Sequence, residues 1–120
     1  VRIKVLSTLS PWLSQAKSGE IFSTVYSNGE GRLVIREEEY QALAASGQLA
    51  TQYVDLEGNP TYDPFFNPSG SFGAIEGLTS SDGRIFGKMG HAERSGCHLM
   101  KNVPGEMDVR IFEAGVDYFK

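Results

Sequence analysis

The stretch Gly87-Lys88-Met89-Gly90-His91-Ala92-Glu93-Arg94 places an imidazole and a carboxylate two residues apart at the end of an apolar run. On an extended backbone the Cβ direction alternates with period two, so His91 and Glu93 fall on one face. A carboxylate so placed can accept a hydrogen bond from one ring nitrogen and leave the other to act as a base. These are two members of a nucleophile, base and orienter triad. His-x-Glu also arises by chance, and its context is what gives it weight here. Ala74–Thr79 and Ile85–Gly90 read as two strands joined through Ser80-Ser81-Asp82-Gly83-Arg84, with Gly83 as the left-handed turn residue. His91 then emerges at a strand end, where a rigid scaffold presents side chains to a cleft.

The third member of the triad is not evident. A catalytic thiol needs a tight strand-to-helix elbow, and the single cysteine, Cys97, sits within Arg94-Ser95-Gly96-Cys97-His98 with no such signal. A thiolate beside His91 would be activated by that base, yet the local pattern argues against Cys97 as the nucleophile. His91, Glu93, Cys97 and His98 match no zinc spacing, and no metal is expected. A second chemically suggestive run is Ser27-Asn28-Gly29-Glu30-Gly31-Arg32. Two glycines around a carboxylate let backbone approach a ligand closely, and they also suit an ordinary hairpin turn.

The elements that must position these residues alternate between strands and helices. Val1–Ser7 alternates apolar and polar residues and predicts a strand, with nothing before it that signals a domain start. Ser10-Pro11-Trp12-Leu13 offers a capping serine and a proline at the first helical position, for a short helical turn ending near Gly19. Ile21–Tyr26 is β-branched and aromatic enough for a strand, and Leu33-Val34-Ile35 for a short one. Arg36–Ser46, rich in Glu and Ala and closed by Gly47, predicts a helix. Leu49–Asp55 predicts a further strand. The following loop, residues 58–72, carries Pro60, Pro64 and Pro68 and is long enough to be either functional or a cover for the sheet edge. Phe65-Phe66 argues against disorder there.

Composition bounds the function. The chain has 120 residues, is 40% hydrophobic and carries a formal charge of −4, which fits one domain or half of a larger one. Lys and Arg are scattered, so the basic stripe expected of nucleic-acid binding is missing. No apolar run approaches the roughly 20 residues that span a bilayer, and Val1-Arg2-Ile3-Lys4-Val5-Leu6 lacks the apolar block of a secretory leader. One cysteine excludes an internal disulfide and suits the cytoplasm.

Taken in order, Ser27-Asn28-Gly29-Glu30-Gly31-Arg32, Tyr53-Val54-Asp55, Gly58-Asn59-Pro60-Thr61-Tyr62-Asp63, Asn67-Pro68-Ser69-Gly70-Ser71, Ile75-Glu76-Gly77 and Gly90-His91-Ala92-Glu93-Arg94 resemble one family across nearly the whole chain. They resemble the C-terminal half of the glutaminase domain of phosphoribosylformylglycinamidine synthases, class I (Cys-His-Glu) amidotransferases of purine biosynthesis. The ending Lys101-Asn102-Val103-Pro104-Gly105 to Ile111–Phe119 resembles the C-terminus of long single-chain forms. The resemblance implies an α/β fold, half of a flavodoxin-like glutaminase domain, with a mixed sheet, a β-hairpin and flanking helices. Residues 1–120 would then be a partial domain from which the nucleophile-bearing half is absent.

The same resemblance implies roles and partners. His91 and Glu93 become the base and orienter of the triad that hydrolyses glutamine, and Ser27, Asn28 and Gly29 become candidates for glutamine contact. Family members usually carry a histidine where this chain has Asn28, so the resemblance supports backbone contacts there and not a side-chain role. The expected partners are glutamine, the other half of the glutaminase domain and a synthase domain. No cofactor is expected in this chain, while ATP and magnesium belong to the synthase domain. The chain alone is expected to be inactive, and to self-associate through an uncovered edge at Val1–Leu6 or Ile21–Tyr26. A non-catalytic interaction module with a glutaminase-like fold is the alternative.

Overall fold

The computed structural model describes residues 1–26, 32–91 and 111–119. The first strand, β1 (Arg2–Val5), turns Ile3 and Val5 fully inward and leaves Arg2 and Lys4 half-buried, as period two requires. It pairs on one side with β2 (Ile21–Ser23), setting Ile3 opposite Phe22. On its other side lies β3 (Leu49–Tyr53), with Ile3 opposite Tyr53. The apolar side chains of these three strands meet in one core with Leu13, Ala16, Ala74 and Ile111.

β3 is buried at all five of its positions, the pattern of a strand covered on both faces. Its far edge holds β4 (Ile75–Thr79), and β4 holds β5 (Phe86–Lys88), giving the order β2-β1-β3-β4-β5. The fold is thus α/β, and the named ladders are all antiparallel where the family resemblance implies a mixed sheet. For β4 and β5 the tight turn between them requires it, because parallel neighbours need a long crossover. Gly83 takes φ +77° in that turn, and Asp82 Oδ1 accepts from the Ser80 hydroxyl (2.7 Å) and the Arg84 N–H (3.1 Å). These contacts hold the Asp82 carboxyl below its ordinary pKa, the Ser80 hydroxyl contributing most.

Ser10 caps the short 3-10 turn Pro11–Leu13 by accepting from the Trp12 N–H. Helix α1 (Glu37–Ala45) opens on three glutamates, which favour the positive end of its dipole, and is followed by Gly47 at φ +78°. Helix α2 (Ile111–Phe119) packs on the 3-10 turn, with Gly115 against the Trp12 ring.

Three expectations change. Leu33–Ile35 forms no strand, because its backbone is satisfied elsewhere: the Leu33 N–H donates to Ser71 Oγ (3.2 Å) and its carbonyl accepts from Phe72 N–H (2.9 Å). β2 stops at Ser23, after which Val25 makes a single bridge to His91. β1 has a neighbour on each side, so it offers no edge for self-association, whereas β2 and β5 end the sheet.

Candidate functional site

His91 lies just beyond β5, half-buried, and its backbone is held from two sides. Its N–H donates to the Val25 carbonyl (2.8 Å), and the preceding strand is paired along β4 through Gly77–Lys88 and Leu78–Gly87. Val25 sits just ahead of the Ser27-Asn28-Gly29 run. Beyond that run, Leu33 lines a shallow hollow of about 230 Å³ with Ile75, Leu78, Gly87 and Met89. Both flanks of the glycine-rich run therefore adjoin the strand that carries His91. Val25 and Leu33, which flank the glycine-rich run, thus lie against the strand end that carries His91.

Glu93, Ser27, Asn28, Gly29, Cys97 and His98 lie outside the described residues, so the expected His91–Glu93 contact does too. Among the described residues, no group of three or more His, Cys, Asp or Glu side chains is placed to hold a metal ion.

The sequence reading overlooks Glu76. Between the Thr51–Gly77 and Gln52–Ile75 pairs the register of β3 and β4 shifts, so Glu76 occupies the extra position on β4. Such a bulge re-aims a side chain. The Glu76 side chain is fully buried, with Lys88 Nζ 3.0 Å from Oε1. Oε1 also accepts from the Gly90 N–H (2.7 Å), and Oε2 accepts from the Thr51 hydroxyl. Gly77 makes that last contact possible, since a Cβ there would lie 2.4 Å from Thr51 Oγ1. A buried carboxylate survives only when paired and hydrogen-bonded, and Glu76 is both. The clue in the sequence is the pair of opposite charges, Glu76 and Lys88, in two apolar runs that a turn at Gly83 folds together.

The proline-spaced loop is braced internally. Asn67 is 1% exposed; its Nδ2 donates to the Thr61 (3.1 Å) and Ser71 (3.3 Å) carbonyls, and its Oδ1 accepts from the Ser71 N–H (3.2 Å). Tyr62 Oη accepts from the Gly73 N–H (2.7 Å). Both side chains hold the loop to itself and to the start of β4. Among the described residues no helix is long and apolar enough to cross a membrane.

Residues 1–119 match the model of a CobB/CobQ-like glutamine amidotransferase domain. The chain is similar to a phosphoribosylformylglycinamidine synthase subunit PurQ of Thermomicrobium roseum, 39% identical over 95 residues, covering 79% of this chain and 39% of that protein. It is also similar to the PurQ subunit of Chlorobaculum parvum, 31% identical over 112 residues, covering 93% of this chain and 42% of that one. The chain thus spans about two fifths of the length of these relatives. In fold it is similar to a chain in the structure of PurLQS from Thermotoga maritima, with a TM-score of 0.66, 22% identity, and coverage of 100% of this chain and 46% of that chain. The resemblance read from the sequence therefore holds, and this chain belongs to the family of CobB/CobQ-like glutamine amidotransferase domains.

Proposed function

We propose that this chain supplies the histidine side of a glutaminase centre, in which glutamine is hydrolysed to glutamate and ammonia for the synthesis of formylglycinamidine ribonucleotide. The observation that carries this reading is the position of His91 at the end of β5, bridged to the segment that leads into Ser27-Asn28-Gly29. His91 takes the proton of a cysteine thiol contributed by the rest of the glutaminase domain. The thiolate attacks the glutamine amide carbon, and the proton returns to the departing ammonia. Water then attacks the thioester, with His91 again as base, to release glutamate. Glu93 orients the ring and stabilises the imidazolium, while Ser27, Asn28 and Gly29 offer backbone contacts to glutamine. The names of the relatives support the choice of pathway. ATP and magnesium are assigned to the synthase partner.

The test is His91→Ala in the complete amidotransferase. Loss of the base lowers glutamine-dependent turnover by about 10²–10⁴-fold and leaves turnover on added ammonia intact. Unchanged glutamine-dependent turnover would overturn the reading and favour a non-catalytic interaction module.

A further inference from the structure

We propose that Glu76 and Lys88 are positioning residues for His91, acting through the backbone of Gly90; the proposal rests on the reading of His91 as the glutaminase base. Both backbone polar groups of Gly90 go to this one ion pair. The Gly90 N–H donates to Glu76 Oε1 (2.7 Å), and the Gly90 carbonyl accepts from Lys88 Nζ (2.9 Å). The same Glu76 also holds the residue before, because its backbone carbonyl accepts from the Met89 N–H (3.0 Å). His91 follows directly and is fixed on its other side by Val25. Three successive residues are thereby anchored, two of them by Glu76.

The fit around Gly90 leaves no slack. A Cβ at Gly90 would lie 2.5 Å from Thr24 Cγ2, 2.9 Å from Glu76 Oε1 and 3.0 Å from Lys88 Nζ. Glycine is needed for the peptide to approach the pair so closely. A purely structural role accounts poorly for the arrangement, because a buried ion pair contributes little net stability compared with apolar side chains of similar volume. What it provides is direction: an acceptor and a donor set 3.0 Å apart hold the two peptide planes that meet at the Gly90 Cα, one by its N–H and the next by its carbonyl. The bulge that singles out Glu76 on β4 serves that end. A base must sit within hydrogen-bond reach of the thiol, and small displacements of such groups are costly to rate.

The experiment compares Glu76→Gln, Lys88→Met, Lys88→Arg and His91→Ala in the complete amidotransferase. Glu76→Gln and Lys88→Met are expected to lower kcat for glutamine hydrolysis about tenfold, as misplacement of a reacting group does, with the KM for glutamine unchanged. Lys88→Arg keeps a cationic donor and is expected to retain most of the rate. Amide exchange at Gly90 and His91 should rise in Glu76→Gln and Lys88→Met while the amides of β1 and β3 hold, a signature that a general loss of stability does not give. If Glu76→Gln fails to fold, the two Lys88 variants decide alone. Unchanged kcat in Glu76→Gln and Lys88→Met, with His91→Ala inactive, overturns the positioning role and leaves the base reading standing. An active His91→Ala overturns both.

Discussion

Tyr53 is fully buried in the core, and among the described residues its hydroxyl has no hydrogen-bond partner. Burial pushes its phenol above its ordinary pKa, and the nearby Glu76 and Tyr26 add to the effect. Removing an unpaired buried hydroxyl relieves a desolvation cost, so Tyr53→Phe is expected to raise stability by about 1 kcal/mol in urea denaturation at neutral pH. The sign with pH follows from the raised folded value. The stability linked to Tyr53 is fully present below the unfolded value of 10.0 and is lost as pH rises above it. The difference between variant and wild type should therefore widen above pH 10.0; a difference constant with pH would show that the phenol titrates normally. At this scale the sequence discloses His91, because imidazole is scarce and chemically distinctive. It does not disclose Glu76, since burial of that carboxylate depends on Thr51 and Lys88 arriving from two other strands.

Gly115 tests how α2 meets the turn Pro11–Leu13. A Cβ there would lie 2.1 Å from Trp12 Cζ3. Alanine is the better helix former by about 1 kcal/mol, so propensity and packing oppose each other. Packing decides the sign, because the Trp12 ring cannot retreat: its Nε1–H donates to the Arg84 carbonyl (2.8 Å) and its ring centroid lies 5.6 Å from that of Phe119. Gly115→Ala is expected to destabilise the chain by about 1–3 kcal/mol and to shift the emission of the single tryptophan; a stabilised variant with unchanged emission would show that α2 shifts freely. Elements set by local chemistry are legible in the sequence, as Ser10-Pro11, Gly47 and Gly83 show. Leu33–Ile35 is not, because strand propensity cannot say whether a partner strand exists, and here Ser71 and Phe72 take the hydrogen bonds instead.

Across the whole molecule, strand order is the part that sequence hides. Nothing local to Val1–Leu6 shows that β1 lies between β2 and β3, since the contacts that place it there come from Ile21 and Tyr53. The proposed chemistry has the same distributed character. The chain spans 39% of its Thermomicrobium roseum relative, and under the proposed function His91 acts on glutamine only with a nucleophile beside it. A base alone cannot form the thioester that splits the amide. We therefore expect the purified chain to release no ammonia from glutamine above background, and expect turnover to return when a nucleophile-bearing half is supplied. Cys97 provides the control. Ammonia release by the chain alone, abolished by Cys97→Ser, would make that thiol the nucleophile and this chain a self-sufficient glutaminase; release that survives the substitution would require a chemistry without a thioester.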